Sequence, residues 1–326
     1  MMIPVMLGII LIVQILIDIT PGDPARIMLG TQATEEAVLE LRNTLGLNDP
    51  FIVRYFRYIW QILHGNFGSS LLTGRPVINE ILARFPYTLL LVGLSLVISV
   101  GAGIPIGIFA ASNQNTWKDN LAMFLSLFCV SMPSFWFALM MVQMFAVRNR
   151  WLPLAGVTSW KGWIMPVIAQ SLGFISIIAR QTRSNMLEVV RQDYITTARS
   201  KGIPERKVKY RHALKNALTP VISSIGGIFG VMLGGSLIIE TIFSLPGLGQ
   251  YTITGLYNRD YPVIQSSVLI LSFMFALVIL LVDIIFALVD PRIRSQYTRA
   301  KRRKAAAAPA ASTVGAAGNA GDAGNS

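Results

Sequence analysis

A single cysteine, Cys129, in 326 residues rules out any intramolecular disulfide and any cluster of thiolate metal ligands. Histidine is nearly as scarce: the only two, His64 and His212, lie outside the long apolar runs, while the acids within or beside those runs, Asp18, Glu240 and Asp283, are scattered. A membrane-embedded protease or metal enzyme needs such groups clustered, so no catalytic residue, metal site or bound cofactor is assigned to this chain. No Gly-Lys pair occurs anywhere. That excludes the phosphate loop ending Gly-Lys-Ser/Thr, in which backbone amides cradle phosphates and the lysine reaches them. Charge is sparse as well: Asp, Glu, Lys and Arg make up 13% of the chain against 53% hydrophobic residues, with a mean hydropathy of +0.57. Such a composition lies outside the range of soluble globular proteins, and the bilayer is its natural solvent.

What is abundant is long apolar sequence. Crossing roughly 30 Å of hydrocarbon takes about 20 residues at 1.5 Å each, and six stretches qualify, at about 2–19, 86–111, 121–147, 163–180, 218–240 and 263–289. The expected fold is therefore an all-α integral membrane bundle of six spans. Internal prolines such as Pro105 and Pro133 do not break this reading, because neighbouring helices can satisfy the freed backbone groups. Pro21-Gly-Asp-Pro24 lacks the small-residue pattern of a cleaved signal, so the first run is kept as a span.

The net charge of +12 reads as topology rather than as a nucleic-acid surface, because the basic residues sit between apolar runs. With the N-terminus inside, the inner segments hold Lys118, nine Lys/Arg between 181 and 217, and seven after 289; the two short outer loops hold Arg148, Arg150 and Lys161, and Arg259. Both ends are thus expected in the cytoplasm. Residues 20–85 form a long outer segment in which Glu35 to Leu45 and Phe51 to Leu63 read as helices, separated by the turn signal Asn48-Asp49-Pro50. The tail at 290–326 carries a basic cluster and then an Ala/Gly/Asn/Ser stretch without periodicity, expected to be disordered.

The most informative stretch lies in the inner segment 181–217. Asp193-Tyr-Ile-Thr-Thr-Ala-Arg-Ser-Lys-Gly202 and the residues from Ile203 to Pro220 read as two short helices joined by a turn. Gly202 can take the left-handed conformation that ends the first helix, and Pro204 with Glu205 suits the first turn of the second. In the second, Tyr210, Ala213, Leu214 and Ala217 make an apolar stripe beside the basic stripe Lys207, Arg211 and Lys215. Such a hairpin could dock in a groove of a cytoplasmic partner or lie on anionic lipid.

Thr196 to Gly202 resembles the EAA loop of ABC-importer membrane subunits. Ala-Arg-x-Lys-Gly followed by Arg-His-Ala-Leu-x-Asn-Ala-Leu-x-Pro resembles the dipeptide, oligopeptide and nickel branch of those permeases. Thr196 and Thr197 stand where the general pattern has Glu and Ala. Three further segments resemble the same branch in order: Pro21 to Pro24; Glu240 to Gly249 with Asn258 to Pro262; and Leu288 to Arg294. The resemblance covers nearly the whole chain. It implies a six-span type I importer fold and a permease for dipeptides or oligopeptides, with nickel, glutathione or another small solute as alternatives. A stand-alone channel or secondary transporter is the rival from another class, and would not need the basic hairpin. Implied partners are a homologous permease subunit, two ATP-binding subunits that use ATP and Mg, and an extracytoplasmic substrate-binding protein.

By the same resemblance the coupling residues are Asp193, Tyr194, Thr197, Ala198, Lys201, Gly202, Pro204, Lys207 and Arg211. Gly226, Gly230 and Gly234, with Gly227 and Gly235 alongside, form a small-xxx-small face on the fifth run, read as close helix packing or as a border of the substrate path. Asp18 and Glu240 are expected at the outer boundary in structural pairings, and Asp283 paired with a basic inner residue.

Overall fold

Apolar chain crossing hydrocarbon must satisfy every backbone N–H and C=O internally, which favours the α-helix. Among the described residues the regular structure is helical throughout, with one isolated β-bridge between Ser69 and Pro76. The structure, a computed structural model, describes residues 2–19, 22–30 and 32–289; of Met2, Asp283 and residues 285–289 it describes the backbone alone. The chain divides into two units, Met1–Leu280 and Leu281–Ser326. All that follows lies in the first, apart from the last turns of α13.

The elements run α1 (Met2–Ile19), α2 (Pro24–Leu29), α3 (Glu35–Thr44), α4 (Phe51–Leu63), α5 (Val77–Ser112), α6 (Trp117–Ser131), α7 (Ser134–Met141), α8 (Ile164–Val190), α9 (Asp193–Ser200), α10 (Glu205–Lys207), α11 (Leu214–Ile242), α12 (Leu248–Tyr257) and α13 (Tyr261–Val289). Four helical stretches are long and apolar enough to cross a membrane: Val77–Ser112, Trp160–Val190, Glu205–Ile242 and Tyr261–Val282. α1, with 18 residues, reaches about 27 Å, a little short of a full hydrocarbon core.

The expected span at 121–147 needs correction, because it is not one helix. α6 ends at Ser131, Met132 is extended, Pro133 opens α7, and the two halves meet at 92°. Proline lacks an N–H and pushes the residue before it out of the helical region, so the break falls at Met132. Counted as one, this bent pair is a fifth candidate span. By contrast Pro86 and Pro105 are accommodated inside α5, and Pro220 inside α11.

The centre of the bundle is the α5–α8 pair. Ser95, Ser99, Gly103 and Gly107 recur every four residues on α5 and are all buried. The Ser95 hydroxyl donates to the Val167 carbonyl at 3.4 Å, and Ser99 reaches the Ser171 carbonyl at 3.3 Å. A methyl group on Gly103 would sit 2.8 Å from the Ile178 side chain, and one on Gly107 only 2.5 Å from the Ala179 carbonyl. The two backbones come close because α5 presents only hydroxymethyl groups or bare glycine to α8, which is how helices associate where no water is present to be expelled.

The segment between α1 and α5 is helical where expected. Thr34 caps α3, its hydroxyl accepting from the Ala37 N–H at 3.4 Å, with Glu35 and Glu36 in the first turn. α4 turns Tyr55, Tyr58, Ile59 and Ile62 toward Ile10 of α1 and Leu269 of α13. Asp18 has the structural pairing expected of it: both carboxylate oxygens accept from Arg54 of α4, at 2.9 and 2.5 Å. The Tyr58 hydroxyl lies 3.3 Å from that of Ser266. Burial holds this phenol well above its ordinary pKa, so it stays neutral and serves only in hydrogen bonding.

Candidate functional site: a basic hairpin on a rigid helix pair

α8 extends past the bundle to Val190, and α9 begins three residues later, turned back by Arg191 and Gln192. Lys201 caps the end of α9, and Gly202 follows with φ +72°, the left-handed conformation expected of it; its N–H donates to the Arg199 carbonyl at 2.9 Å. Pro204 precedes Glu205 at the next helix start. Arg199 Nε donates to Glu205 Oε1 at 2.7 Å across the turn, and Asn216 Nδ2 to the Tyr194 hydroxyl at 2.7 Å.

The hairpin departs from its sequence reading in one respect. Its second arm is not a short helix: α10 runs through a π-helical stretch, Val208–Ala213, directly into α11. A π turn widens the helix and shifts the register of everything before it. That explains why Tyr210, placed by its spacing in the apolar stripe, is 55% exposed, while Val208 takes its place inside. The hairpin core is Ile195, Ala198, Val208, Ala213 and Ala217 against Met186.

Of the nine residues assigned to coupling, eight share this exposed exterior: Asp193, Tyr194, Thr197, Lys201, Gly202, Pro204, Lys207 and Arg211. Ala198 does not. It is buried in the hairpin's own core, where its small side chain lets α9 close on the second arm. Thr197 donates to the Asp193 carbonyl at 3.0 Å, within its own helix.

The glycine face on α11 is only partly packed. Gly226 is buried and Gly230 lies beneath the Phe275 ring of α13, but Gly234 is exposed and, like Gly227 and Gly235, has open space above it. With Val231 and Ile238 these three form an uncovered stripe along α11. The Asp283 side chain and the basic tail after 289 lie outside the described residues.

Two arrangements go beyond the sequence reading, which named no partner for Asp119 and only a structural pairing for Glu240. Asp119, at the start of α6 and 1% exposed, accepts from Arg183 of α8 through both oxygens, each at 2.6 Å, and from the Asn115 N–H at 3.1 Å. Glu240 is fully buried: Oε1 accepts from the Thr88 hydroxyl at 2.7 Å and Oε2 from the Gln250 N–H at 2.9 Å, at the start of α12. The carboxylate therefore caps α12 from a neighbouring helix, with Gly247 and Gly249 leaving room for it. Glu240→Gln would set an amide N–H against one of these donors, and is expected to cost about 1–3 kcal/mol, read as a lower unfolding midpoint in detergent.

These features define a polytopic helical membrane subunit whose basic hairpin is carried on two bundle helices, α8 and α11. The comparisons identify which. Residues 103–295 match the family described as binding-protein-dependent transport system inner membrane component, and residues 1–92 match its N-terminal counterpart. The chain belongs to this family and is a permease subunit of an ABC importer. It is 40% identical to the glutathione transport system permease protein of Salmonella typhimurium over 293 residues, 90% of this chain and 96% of that one. It is also 40% identical to the dipeptide transport system permease protein of Alkalihalophilus pseudofirmus over 322 residues, 90% of this chain and 97% of that one. Among solved structures, the inward-facing MetNI methionine ABC transporter shares the fold, with a TM-score of 0.58 at 17% identity over 66% of this chain and 98% of the other.

Proposed function

We propose that this chain imports dipeptides and oligopeptides as one half of a translocation pathway, and that its hairpin is the contact through which separate ATPase subunits drive it. A homologous permease subunit forms the other half, two ATP-binding subunits consume ATP and Mg, and an extracytoplasmic binding protein delivers substrate. The chain hydrolyses no ATP and binds no cofactor. The hairpin and both termini face the cytoplasm, and α2–α4 face the opposite side. The name of the Alkalihalophilus relative supports a dipeptide substrate. That of the Salmonella relative supports glutathione as the second reading, carried by the same mechanism.

The observation that carries the coupling role is the hairpin's construction. A loop that only lay on lipid would need no core of its own, whereas this one is sealed by Ile195, Ala198, Val208, Ala213 and Ala217 and presents eight polar or turn residues outward. Its first arm continues from α8 and its second runs unbroken into α11. A displacement of the hairpin is thereby delivered to two bundle helices at once, and through the α5–α8 contact to a third. ATPase closure that binds the hairpin more tightly in one arrangement than the other shifts the bundle between inward-open and outward-open states. The uncovered stripe of Gly227, Val231, Gly234, Gly235 and Ile238 on α11 is the surface that would move along the pathway.

The test is crosslinking from Ser200→Cys in a Cys129→Ser background, in membranes containing the candidate ATPase. Crosslinks to the ATPase that change with ATP are expected. An accessible, labelled residue 200 that never crosslinks to the ATPase would overturn the coupling role.

A further inference from the structure

A groove of about 570 Å³ runs between α5, α6 and α8, lined by no residue of the hairpin or of the exposed stripe on α11. Its walls include Ile106, Leu121, Leu125, Cys129, Leu172 and Ile175. Ser176 on the wall donates its hydroxyl to the Leu172 carbonyl at 3.2 Å, within its own helix, so it offers the groove no free donor. Ser126 of α6 is the other hydroxyl on the wall, and the remaining interior is apolar.

The mouth is different. Trp117, 70% exposed, and Lys118, also exposed, stand at the first turn of α6, directly after the polar connection Asn113-Gln114-Asn115-Thr116. Tryptophan and lysine at the end of an apolar helix mark the membrane–water boundary, where each buries its apolar stem and keeps its polar end wet. Asp119, the acid beside Lys118, is buried and held by Arg183 through both oxygens. Among the described residues no ion pair is made by Lys118, so its charge faces outward at the groove's entrance.

From Trp117 to Cys129 the groove follows thirteen residues of α6, a run of twelve steps. At 1.5 Å per residue that is about 18 Å, close to half of a roughly 30 Å hydrocarbon core. The volume falls in the range of about 300–1,000 Å³ typical of small-ligand sites. A largely apolar channel one leaflet deep, opening on a cation without an ion-pair partner at headgroup level, matches one class of molecule. We infer that the groove is a binding site for a single anionic phospholipid, with an acyl chain along α6 between α5 and α8 and its phosphate at Lys118. An apolar helix from another chain would fill the interior but leave the Lys118 charge without a partner.

The inference does not depend on the substrate or on which side the hairpin faces. It is tested on the full-length chain, in its assembled complex, reconstituted in phosphatidylcholine vesicles. The probes are trace phosphatidylglycerol or phosphatidylcholine with a photoactivatable diazirine at the end of an identical acyl chain, and labelled peptides are mapped by mass spectrometry. Labelling is expected at Leu125–Cys129 and Leu172–Ile175, with phosphatidylglycerol favoured about five-fold, the contribution of one lysine at the membrane surface. Lys118→Gln is expected to erase the preference, Lys118→Arg to keep it, and Ala122→Trp, which fills the groove, to lower labelling by both lipids. Equal labelling by the two lipids overturns the inference, as does a preference that survives Lys118→Gln. So does an unlabelled groove, including one in which Cys129 crosslinks to a helix of another chain.

Discussion

Gly107→Val is expected to reduce the amount of folded permease in the membrane at least five-fold, while Gly101→Ala, less than two turns away on the same helix, leaves it unchanged. The difference lies in what each new side chain meets. At Gly107 the first added carbon would stand 2.5 Å from the Ala179 carbonyl oxygen and 2.6 Å from the Thr182 side chain. The carbonyl is backbone and cannot swing aside, so α5 and α8 must separate. That breaks the contacts of Ser95 and Ser99 with the α8 carbonyls as well. Overpacking costs about 1–3 kcal/mol and occasionally more, and here it falls on the most extensively packed helix pair among the described residues. Gly101 is exposed, with nothing within 4 Å, and an added methyl there touches only its surroundings. Quantifying folded protein by fluorescence-detected size exclusion decides between them. Equal behaviour of the two variants would mean that the α5–α8 contact can relax, and that it is no rigid lever for the hairpin.

The ladder behind this prediction was present in the sequence as a four-residue period of small residues at 95, 99, 103 and 107, yet the glycines of α11 looked more persuasive. Composition and spacing identify small faces without saying which of them is covered, and Gly234 turned out open while Gly107 is closed. Apolar length was a better guide, because the cost of unsatisfied backbone in hydrocarbon leaves the chain little choice but a helix. Even so, length could not show that Pro133 would bend the third run through 92°. The left-handed Gly202 and the start at Glu205 were legible, since each follows from local backbone preference. The π turn at Val208–Ala213 was not: it answers to how α10 must join α11 while Val208 packs under α9, a condition set by tertiary contacts. Pairings across the fold, such as Asp119 with Arg183, are 64 residues apart and leave no local trace.

That pairing gives the second large effect, and its asymmetry is the informative part. Asp119 is 1% exposed and the Arg183 side chain 26%. Removing the arginine, as in Arg183→Gln, leaves a buried carboxylate with only the Asn115 N–H as a donor, and breaking a buried pair in this way costs about 3–5 kcal/mol. Removing the acid, as in Asp119→Asn, leaves a guanidinium on a long stem that can turn toward water, so the loss should be smaller by about 1–2 kcal/mol. The double variant carries two neutral amides that can bond to each other, and is expected to be more stable than Arg183→Gln alone. A double-mutant cycle on unfolding midpoints in detergent measures this coupling. Position makes it consequential: Arg183 lies on α8 seven residues before its end at Val190, so the pair fixes α6 to the helix that carries the hairpin. Transport in reconstituted vesicles should therefore fall in the same order as stability, with Arg183→Gln lowest. If Asp119→Asn proved as damaging as Arg183→Gln and the double variant worse than either, the carboxylate would be doing something besides holding α8, and the clamp would not account for its burial.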